Sequence, residues 1–276
     1  MRLYQGRYAE ALAAYESARQ TFVELGEPQM VATAWHQIGR VHEEAGNDEA
    51  AEEAYREALA LWVKLKDRTH EASTLTHLGL LYDKMGRLEE AVTFLRQALD
   101  IDVLLNDTFN EGKDRSNLAI QLIKLGRYDE ARAEIRRAIE CKQPYGHAAL
   151  PWTSWDILHD LERAVGDQAA AEQAKAEARL LFLAYRRDGG ENHNPGGRLC
   201  ARFAQAMQAG QRAEMESLLQ QLLNDPDSPD WLKTLASTLQ EILNGSRDPA
   251  LAENPALDYD DAAEVQLLLE ALGPGA

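Results

Sequence analysis

The stretch from Gly46 to Leu59, GNDEAAEEAYREAL, decides the fold, because it recurs in outline forty residues later as GRLEEAVTFLRQAL, from Gly86 to Leu99. One alanine stands five residues after the glycine and another seven residues further on, usually with a large side chain between them. A fixed period of this length is the signature of a stacked repeat architecture. The glycines that keep the phase are Gly6, Gly46, Gly86, Gly126 and Gly166.

Each period predicts a pair of antiparallel α-helices. The glycine suits the left-handed backbone at the end of the first helix, and the acidic residues beyond it suit the positive N-terminus of the second helix. No segment alternates as a β-strand does, so the sequence predicts an all-α protein. The first helices are expected at about 32–45, 72–85, 112–125 and 152–165. One face of a second helix is marked by the spacing of Ala51, Tyr55, Ala58 and Trp62.

Small residues are expected to let the two helices of a pair approach closely. Gly39 would meet Ala51, and Gly79 would meet Ala91 at the same phase. Large side chains should then fill the space between adjacent pairs, namely Trp35, Tyr55, Tyr82 and Leu95.

The segments Trp35–Leu59 and Leu75–Leu99 resemble tetratricopeptide repeats (TPR). That family usually has a period of about 34 residues, and the longer period here resembles its kinesin-light-chain-type and Leu-Gly-Asn-repeat scaffolds. The resemblance covers roughly residues 1–185. It implies a right-handed α-solenoid of antiparallel helix pairs, the TPR superhelix, whose first helices line a concave groove.

The sequence predicts three regions. Residues 1–187 form the repeat array, as a half repeat plus four repeats, and residues 188–198 form a glycine-rich loop. Residues 199–276 would form a degenerate repeat and an acidic helical C-terminal cap. The array carries a net charge of −7 and the rest of the chain carries −10. The acidic end is interpreted as a solvated cap in preference to a docking surface for a basic partner.

The array starts on the second helix of a pair, because only five residues precede Gly6. A solenoid that starts this way exposes an apolar face that a preceding repeat would cover. The chain is therefore suspected to be a piece of a longer protein. The alternative is a native start whose uncovered helix, Tyr8–Leu25, pairs with another copy to form a homodimer or is simply tolerated.

Composition excludes several classes of partner. The net charge of −17 disfavours binding to nucleic acid and to anionic membrane surfaces. The sequence has no apolar run long enough to span a membrane and no apolar signal core, which predicts a cytoplasmic protein. The ending, a Trp-led helix, Gly-x-Arg-Asp-Pro and a Leu-rich final helix, weakly resembles bacterial repeat proteins.

No motif in the sequence carries catalytic chemistry. There is no phosphate-binding glycine loop and no serine nucleophile elbow. His70 and Glu71 begin a zinc-protease pattern, but Thr74 stands where the second metal ligand is needed. The prediction is therefore no enzyme, no catalytic residue, no metal and no cofactor, with Cys141 and Cys200 as buried structural thiols.

The resemblance places the binding surface on the first helices. Gln37, His77 and Asn117 form a polar ladder at the forty-residue period, suited to hydrogen bonding with an extended peptide main chain. The lysine–asparagine clamp of chaperone-binding relatives is absent, and in the last repeat the surface turns acidic with Asp156 and Asp160. The alternative is that these positions are only solvated helix faces. The predicted groove residues are Gln37, Arg40, His77, Leu80, Lys84, Lys113, Asn117, Ile120 and Lys124.

Three functions follow as hypotheses. The first is a protein–protein interaction scaffold that holds a peptide or partner protein in the concave groove without catalysis. The second is the sensor or regulatory fragment of a larger signalling protein whose catalytic or nucleotide-switch region lies upstream. The third is a homo-oligomerisation module.

Overall fold

The computed structural model describes residues 7–273, so the first glycine of the series, Gly6, lies outside the described residues. Every regular element within 7–273 is helical. The chain divides into two compact units between Ala149 and Leu150. This division falls inside the region expected to form one array, and the three-region organisation itself stays a prediction.

Unit 1, up to Ala149, is a series of helical hairpins. The most extensively packed pairs are α2 with α3, α4 with α5, and α6 with α7, in agreement with the forty-residue phase. The predicted class, an α-solenoid of antiparallel helix pairs, is therefore confirmed. Its helices are α1 (Tyr8–Leu25), α2 (Pro28–Glu44), α3 (Asp48–Leu65), α4 (Arg68–Lys84), α5 (Leu88–Leu105), α6 (Thr108–Lys124) and α7 (Tyr128–Lys142), followed by a 3-10 segment, Gln143–Ala149.

Both turns of the repeat use a residue in the left-handed conformation. Within a pair the residue is the periodic glycine, and Gly46 has a φ of +77°. Between pairs the position is taken by Gly26, Lys66 and Asn106, also forty residues apart, so two of the three carry a side chain at positive φ. After Lys66 and Asn106 the next helix is capped by an aspartate: the Asp67 side chain accepts a hydrogen bond from the backbone N–H of His70 at 3.2 Å.

The repeated glycines make room for a large side chain. A Cβ atom on Gly39 would lie 2.7 Å from ring atoms of Tyr55, and a Cβ on Gly79 would lie 2.7 Å from Cγ of Leu95. Tyr55 therefore packs on Gly39 within its own hairpin, and the same ring belongs to a core cluster with Leu78 of the next hairpin. The large residues thus join both interfaces and are not confined to the space between pairs.

Unit 2 is also helical. Its main core is formed by α10 to α13, and a second cluster joins α8 and α9 to α13. Helix α10 begins at Pro195, so the end of the segment predicted as a loop over 188–198 is helical. The helices are α8 (Pro151–Val165), α9 (Gln168–Arg187), α10 (Pro195–Gln208), α11 (Arg212–Asn224), α12 (Asp230–Leu243) and α13 (Tyr259–Leu272), with a 3-10 segment at Pro249–Glu253.

Helices α10 and α13 approach through a glycine. A Cβ on Gly196 would lie 1.9 Å from Oδ1 of Asp261, in the first turn of α13. Asp260, beside it, accepts a hydrogen bond from Nδ2 of Asn194 at 3.0 Å. The segment Asn194–Gly197 is therefore a close-packed helix start, and side chains of neighbouring segments occupy the space beside its glycines.

Candidate peptide-binding groove

A cavity of about 400 Å³ opens between α4 and α6 in unit 1. Four of the predicted groove residues line it: His77 and Leu80 from α4, and Lys113 and Asn117 from α6. The equivalent faces of consecutive hairpins therefore meet at one depression. Residues spaced forty apart come together because each hairpin repeats the orientation of the one before it.

Gln37 and Arg40 lie on α2, next to this cavity along the series. Oε1 of Gln37 accepts a hydrogen bond from a guanidinium nitrogen of Arg40 at 3.4 Å. Both side chains are half-buried, as are His77, Asn117, Leu80 and Ile120. These positions are therefore neither sealed in the core nor fully solvated.

His77 belongs to an aromatic cluster that spans two hairpins. Its ring stacks on Tyr55 with 5.5 Å between centroids and lies 4.8 Å from the ring of His36. The Tyr55 hydroxyl donates to Oε2 of Glu43 at 2.6 Å. This contact fixes the tyrosine, so the cluster is a preorganised wall and its rings are not free to swing into solvent.

Both histidines of this wall are held in the neutral form. Burial, with the nearby charge of His77 and Arg40 adding to it, lowers the pKa of His36 to about 3. Burial and the charges of Arg40 and Lys113 lower the pKa of His77 to about 4. At neutral pH the ladder position His77 is therefore an uncharged hydrogen-bonding group, which suits contact with a neutral peptide main chain.

Hydrogen bonds tie the first helices to one another at a spacing of 38 residues. Nδ1 of His36 lies 3.1 Å from Oγ1 of Thr74. One hairpin further on, Oγ1 of Thr76 donates to Oδ2 of Asp114 at 2.7 Å. These bonds therefore connect neighbouring first helices within unit 1.

Two of the predicted cations have other partners. Nζ of Lys84 lies 2.6 Å from Oδ1 of Asp48 and donates to the carbonyl of Glu43 at 2.9 Å. Nζ of Lys124 lies 2.5 Å and 2.8 Å from the two carboxylate oxygens of Asp83. Each lysine therefore joins neighbouring hairpins, and neither lines the cavity.

Sequence reasoning missed two carboxyl groups that line the cavity. Asp102 of α5 is 3% exposed and Asp114 of α6 is 4% exposed. Burial, with the charge of Asp114 adding to it, raises the pKa of Asp102 to about 7. Burial also raises the pKa of Asp114 to about 6, against the opposing hydrogen bond from Thr76. No periodic signal marks this pair, because the two residues lie at different phases of the repeat.

Carboxyl groups within α8 and at the start of α13 correspond to the acidic surface that the sequence predicts in the last repeat. Burial, together with the charge of Asp160, raises the pKa of Asp156 to about 7, and burial beside Asp260 raises the pKa of Asp258. Among the described residues no group of three or more histidine, cysteine or acidic side chains is arranged to hold a metal ion. Cys141 and Cys200 are both buried and unpaired.

The stacked helix pairs of unit 1 define a helical-repeat solenoid. Models of the tetratricopeptide repeat match residues 1–62, 30–102 and 117–143. Residues 1–102 and 117–143 are therefore tetratricopeptide repeats, and proteins built from such repeats are protein–protein interaction scaffolds. No curated protein matches the sequence.

Solved structures share the fold at low sequence identity. BtubC (BKLC) from P. vanneervenii is 19% identical with a TM-score of 0.63, over 70% of this chain and 79% of that one. A putative kinesin light chain with TPR-like repeats from Podosopora anserina is 17% identical with a TM-score of 0.57, over 67% and 92%. The apo form of RapI is 12% identical with a TM-score of 0.61, over 99% and 96%. No helix in the described part of the chain is both long and apolar enough to cross a membrane.

Proposed function

We propose that unit 1 binds an extended peptide segment of a partner protein along the first helices α2, α4 and α6. The observation that carries this proposal is the cavity between α4 and α6, where the ladder positions His77 and Asn117 meet Leu80 and Lys113. A peptide has one main-chain donor and one acceptor for most residues. A row of neutral polar side chains can pair with these groups without requiring one particular peptide sequence.

The other groove residues divide into apolar and charged contacts. Leu80 and Ile120 would receive apolar side chains of the peptide, with Ile120 at the position one repeat beyond Leu80. Arg40 and Lys113 are left to interact with acidic peptide groups. Lys84 and Lys124 would contribute at the rim through long-range attraction only, because each already has a carboxylate partner.

Selection from a random peptide library, followed by affinity measurement, tests this function on the full chain. Peptides that bind the wild type are expected to lose at least tenfold in affinity for the Arg40→Glu, Asn117→Ala double variant, about 1.4 kcal/mol or more. The matched control is the double variant Arg136→Glu, Gln97→Ala, which makes the same kinds of change at exposed positions of α7 and α5 outside the cavity. It is expected to bind as the wild type does.

Unchanged affinity in the Arg40, Asn117 variant would contradict the groove, and so would equal losses in both double variants. Failure to recover any peptide that competes for this surface would also contradict it. Circular dichroism of each variant separates a loss of contacts from a loss of folding.

A specific observation favours a second role, homotypic association through α1. Tyr15, Ala18 and Phe22 of this helix are only half-buried. Tyr55, Ala58 and Trp62, at the same phase one repeat later, are fully buried. A second copy that pairs with α1 would cover the exposed stripe.

Sedimentation velocity over a wide concentration range tests this association. A dimer is expected, and Phe22→Glu should convert it to a monomer because it places a charge in the apolar stripe. Ala13→Glu is the control, since residue 13 is exposed and lies on the opposite side of the helix from residue 22. A wild-type monomer at all concentrations would rule out the homodimer.

We also infer that the protein works without catalysis and in the cytoplasm. Two buried, unpaired cysteines suit a reducing compartment. The formal charge of −17 favours a protein partner over nucleic acid or a lipid surface. Purification of the chain from its native cells with a crosslinked partner would test this; recovery with RNA, DNA or membrane as the main partner would contradict it.

A further inference from the structure

We propose that the cavity between α4 and α6 receives a cationic side chain, an arginine or a lysine of the bound peptide, against Asp102 and Asp114. The inference rests on the proposed function, because it names what the peptide brings to that groove. Neither aspartate belongs to the periodic polar ladder. The two aspartates would therefore select a particular side chain of the peptide, whereas the rest of the surface binds the peptide main chain.

One carboxylate oxygen of Asp102 lacks a hydrogen-bond donor. The residue is 3% exposed and lines the cavity wall. Its Oδ2 atom meets no hydrogen-bond donor anywhere in residues 7–273. A buried acceptor without a donor is unfavourable, so a donor that enters the cavity would find a favourable position there.

The two carboxyl groups also act on each other through their charge. Besides burial, the charge of Asp114 raises the pKa of Asp102. A bound proton relieves this repulsion in the free protein. A guanidinium or ammonium group supplies the same positive charge and brings three or more donors. The cation would therefore replace the proton.

The surrounding charges do not already neutralise the pair. Asp107 and Glu111 add negative charge from the start of α6, and Glu111 is itself bonded to Arg115 and Arg137. Lys113 is the one nearby cation among the groups that act on the pair, and it is exposed with Nζ 5.9 Å from the ring of Phe109. From α4 the pair is faced by the cavity histidines, His70 and His77.

The rest of the lining suits an organic cation in preference to a metal ion. The neutral donors and acceptors of Thr69, Ser73, Asn110 and Asn117 surround the carboxyl groups. No third acidic, cysteine or histidine side chain in the described ranges completes a metal-binding set with them. A volume of about 400 Å³ accommodates an arginine or lysine side chain with part of the peptide main chain.

Competition between the cation and the proton makes binding depend on pH. Burial raises the pKa of Asp102 to about 7, so at lower pH the cation must displace a bound proton. Affinity is expected to fall about tenfold or more between roughly pH 7.5 and pH 5.5, by linkage of one proton to binding. Replacement of Asp102 by Asn should weaken this dependence and leave Asp114 as the titrating carboxyl group.

The test uses the same random peptide library on the wild type, on Asp102→Asn and on Asp114→Asn. Peptides selected by the wild type should carry arginine or lysine at one fixed position, and replacing that residue by citrulline or norleucine should cost at least tenfold in affinity. Each carboxyl variant should lose the preference for a cation. Asp100→Asn, at an exposed position of the same helix, is the matched control and should keep it.

The outcomes separate this inference from the proposed function. Peptides that depend on Arg40 and Asn117 but show no cationic preference would overturn the inference and leave the groove function in place. If the wild type bound no peptide in the groove, both the inference and the proposed function would be overturned. Asn is isosteric with Asp, and Asp114→Asn provides a second variant if Asp102→Asn unfolds. A cationic preference that survives in both variants would also overturn the inference.

Discussion

Gly39→Ala should destabilise unit 1, although alanine is the better helix former. In the interior of a helix this exchange normally stabilises by about 1 kcal/mol. Here the new Cβ would lie 2.7 Å from Cδ1 and Cε1 of Tyr55 and 3.0 Å from Cγ. The ring cannot move aside easily, because it is fully buried and its hydroxyl is bonded to Glu43 at 2.6 Å.

The net effect follows from these two opposing contributions. Forcing an additional methyl group into a packed core costs about 1–3 kcal/mol, with displacement of the ring or of the helix. After the gain in helix propensity of about 1 kcal/mol, we expect a net loss of up to about 2 kcal/mol in the free energy of unfolding. A Tyr55→Ala background should reverse the sign, because the methyl group would then enter a cavity.

Urea denaturation followed by far-UV circular dichroism measures the loss. Hydrogen exchange of amides in residues 32–59 assigns it to unit 1. The double-mutant cycle of Gly39→Ala with Tyr55→Ala should give a coupling energy of about 1–3 kcal/mol. If Gly39→Ala were as stable as the wild type, or if the two substitutions were additive, the close approach would not be a constraint and the packing argument would fail.

Three further predictions concern ion pairs, pH and the start of α10. The free energy of unfolding should fall as the pH drops from about 6.5 through about 4, because the lowered pKa of His77 makes the folded protein resist protonation at this residue. In pH-dependent denaturation, His77→Asn should reduce that fall by about 1–2 kcal/mol. This is less than the full pKa shift would give, because 31% of the His77 side chain is exposed. Arg186→Met should lower the free energy of unfolding by about 3 kcal/mol, because it leaves Glu264 as an unpaired buried charge. In the wild type the two side chains are 2.6 Å apart and the Glu264 side chain is 6% exposed. The double variant Arg186→Met, Glu264→Leu should recover much of that loss. Gly196→Ala should lower the denaturation midpoint of unit 2, because its Cβ would lie 1.9 Å from the buried carboxylate of Asp261; equal stability of the variant and the wild type would contradict the described packing.

The helical hairpins could be predicted from the sequence because their causes are local. A glycine such as Gly46 ends a helix through its own backbone conformation, at a φ of +77°. The apolar face of α3 follows from the spacing of Ala51, Tyr55, Ala58 and Trp62, all of which are buried. The second turn was less visible, because Lys66 and Asn106 take the left-handed conformation without being glycine.

The groove could be predicted only in part. The meeting of His77 and Asn117 at one cavity follows from the forty-residue phase, since equivalent positions of stacked hairpins become neighbours. The pairing of Lys84 with Asp48 could not be predicted, because these residues share no phase and meet only through the turn geometry. Lys84 thus joins two hairpins, and its assignment to the groove stays a prediction.

The sequence by itself determined the helix pairs, their order and the residues that repeat along one face, because each depends on contacts within about one period. Only the tertiary structure decided which residues at different positions of the forty-residue period lie next to each other. Asp102 on α5 and Asp114 on α6 become a buried carboxyl pair only when their hairpins stack. Their raised pKa values come from the loss of water around both groups, which depends on every neighbour at once and leaves no periodic trace in the chain.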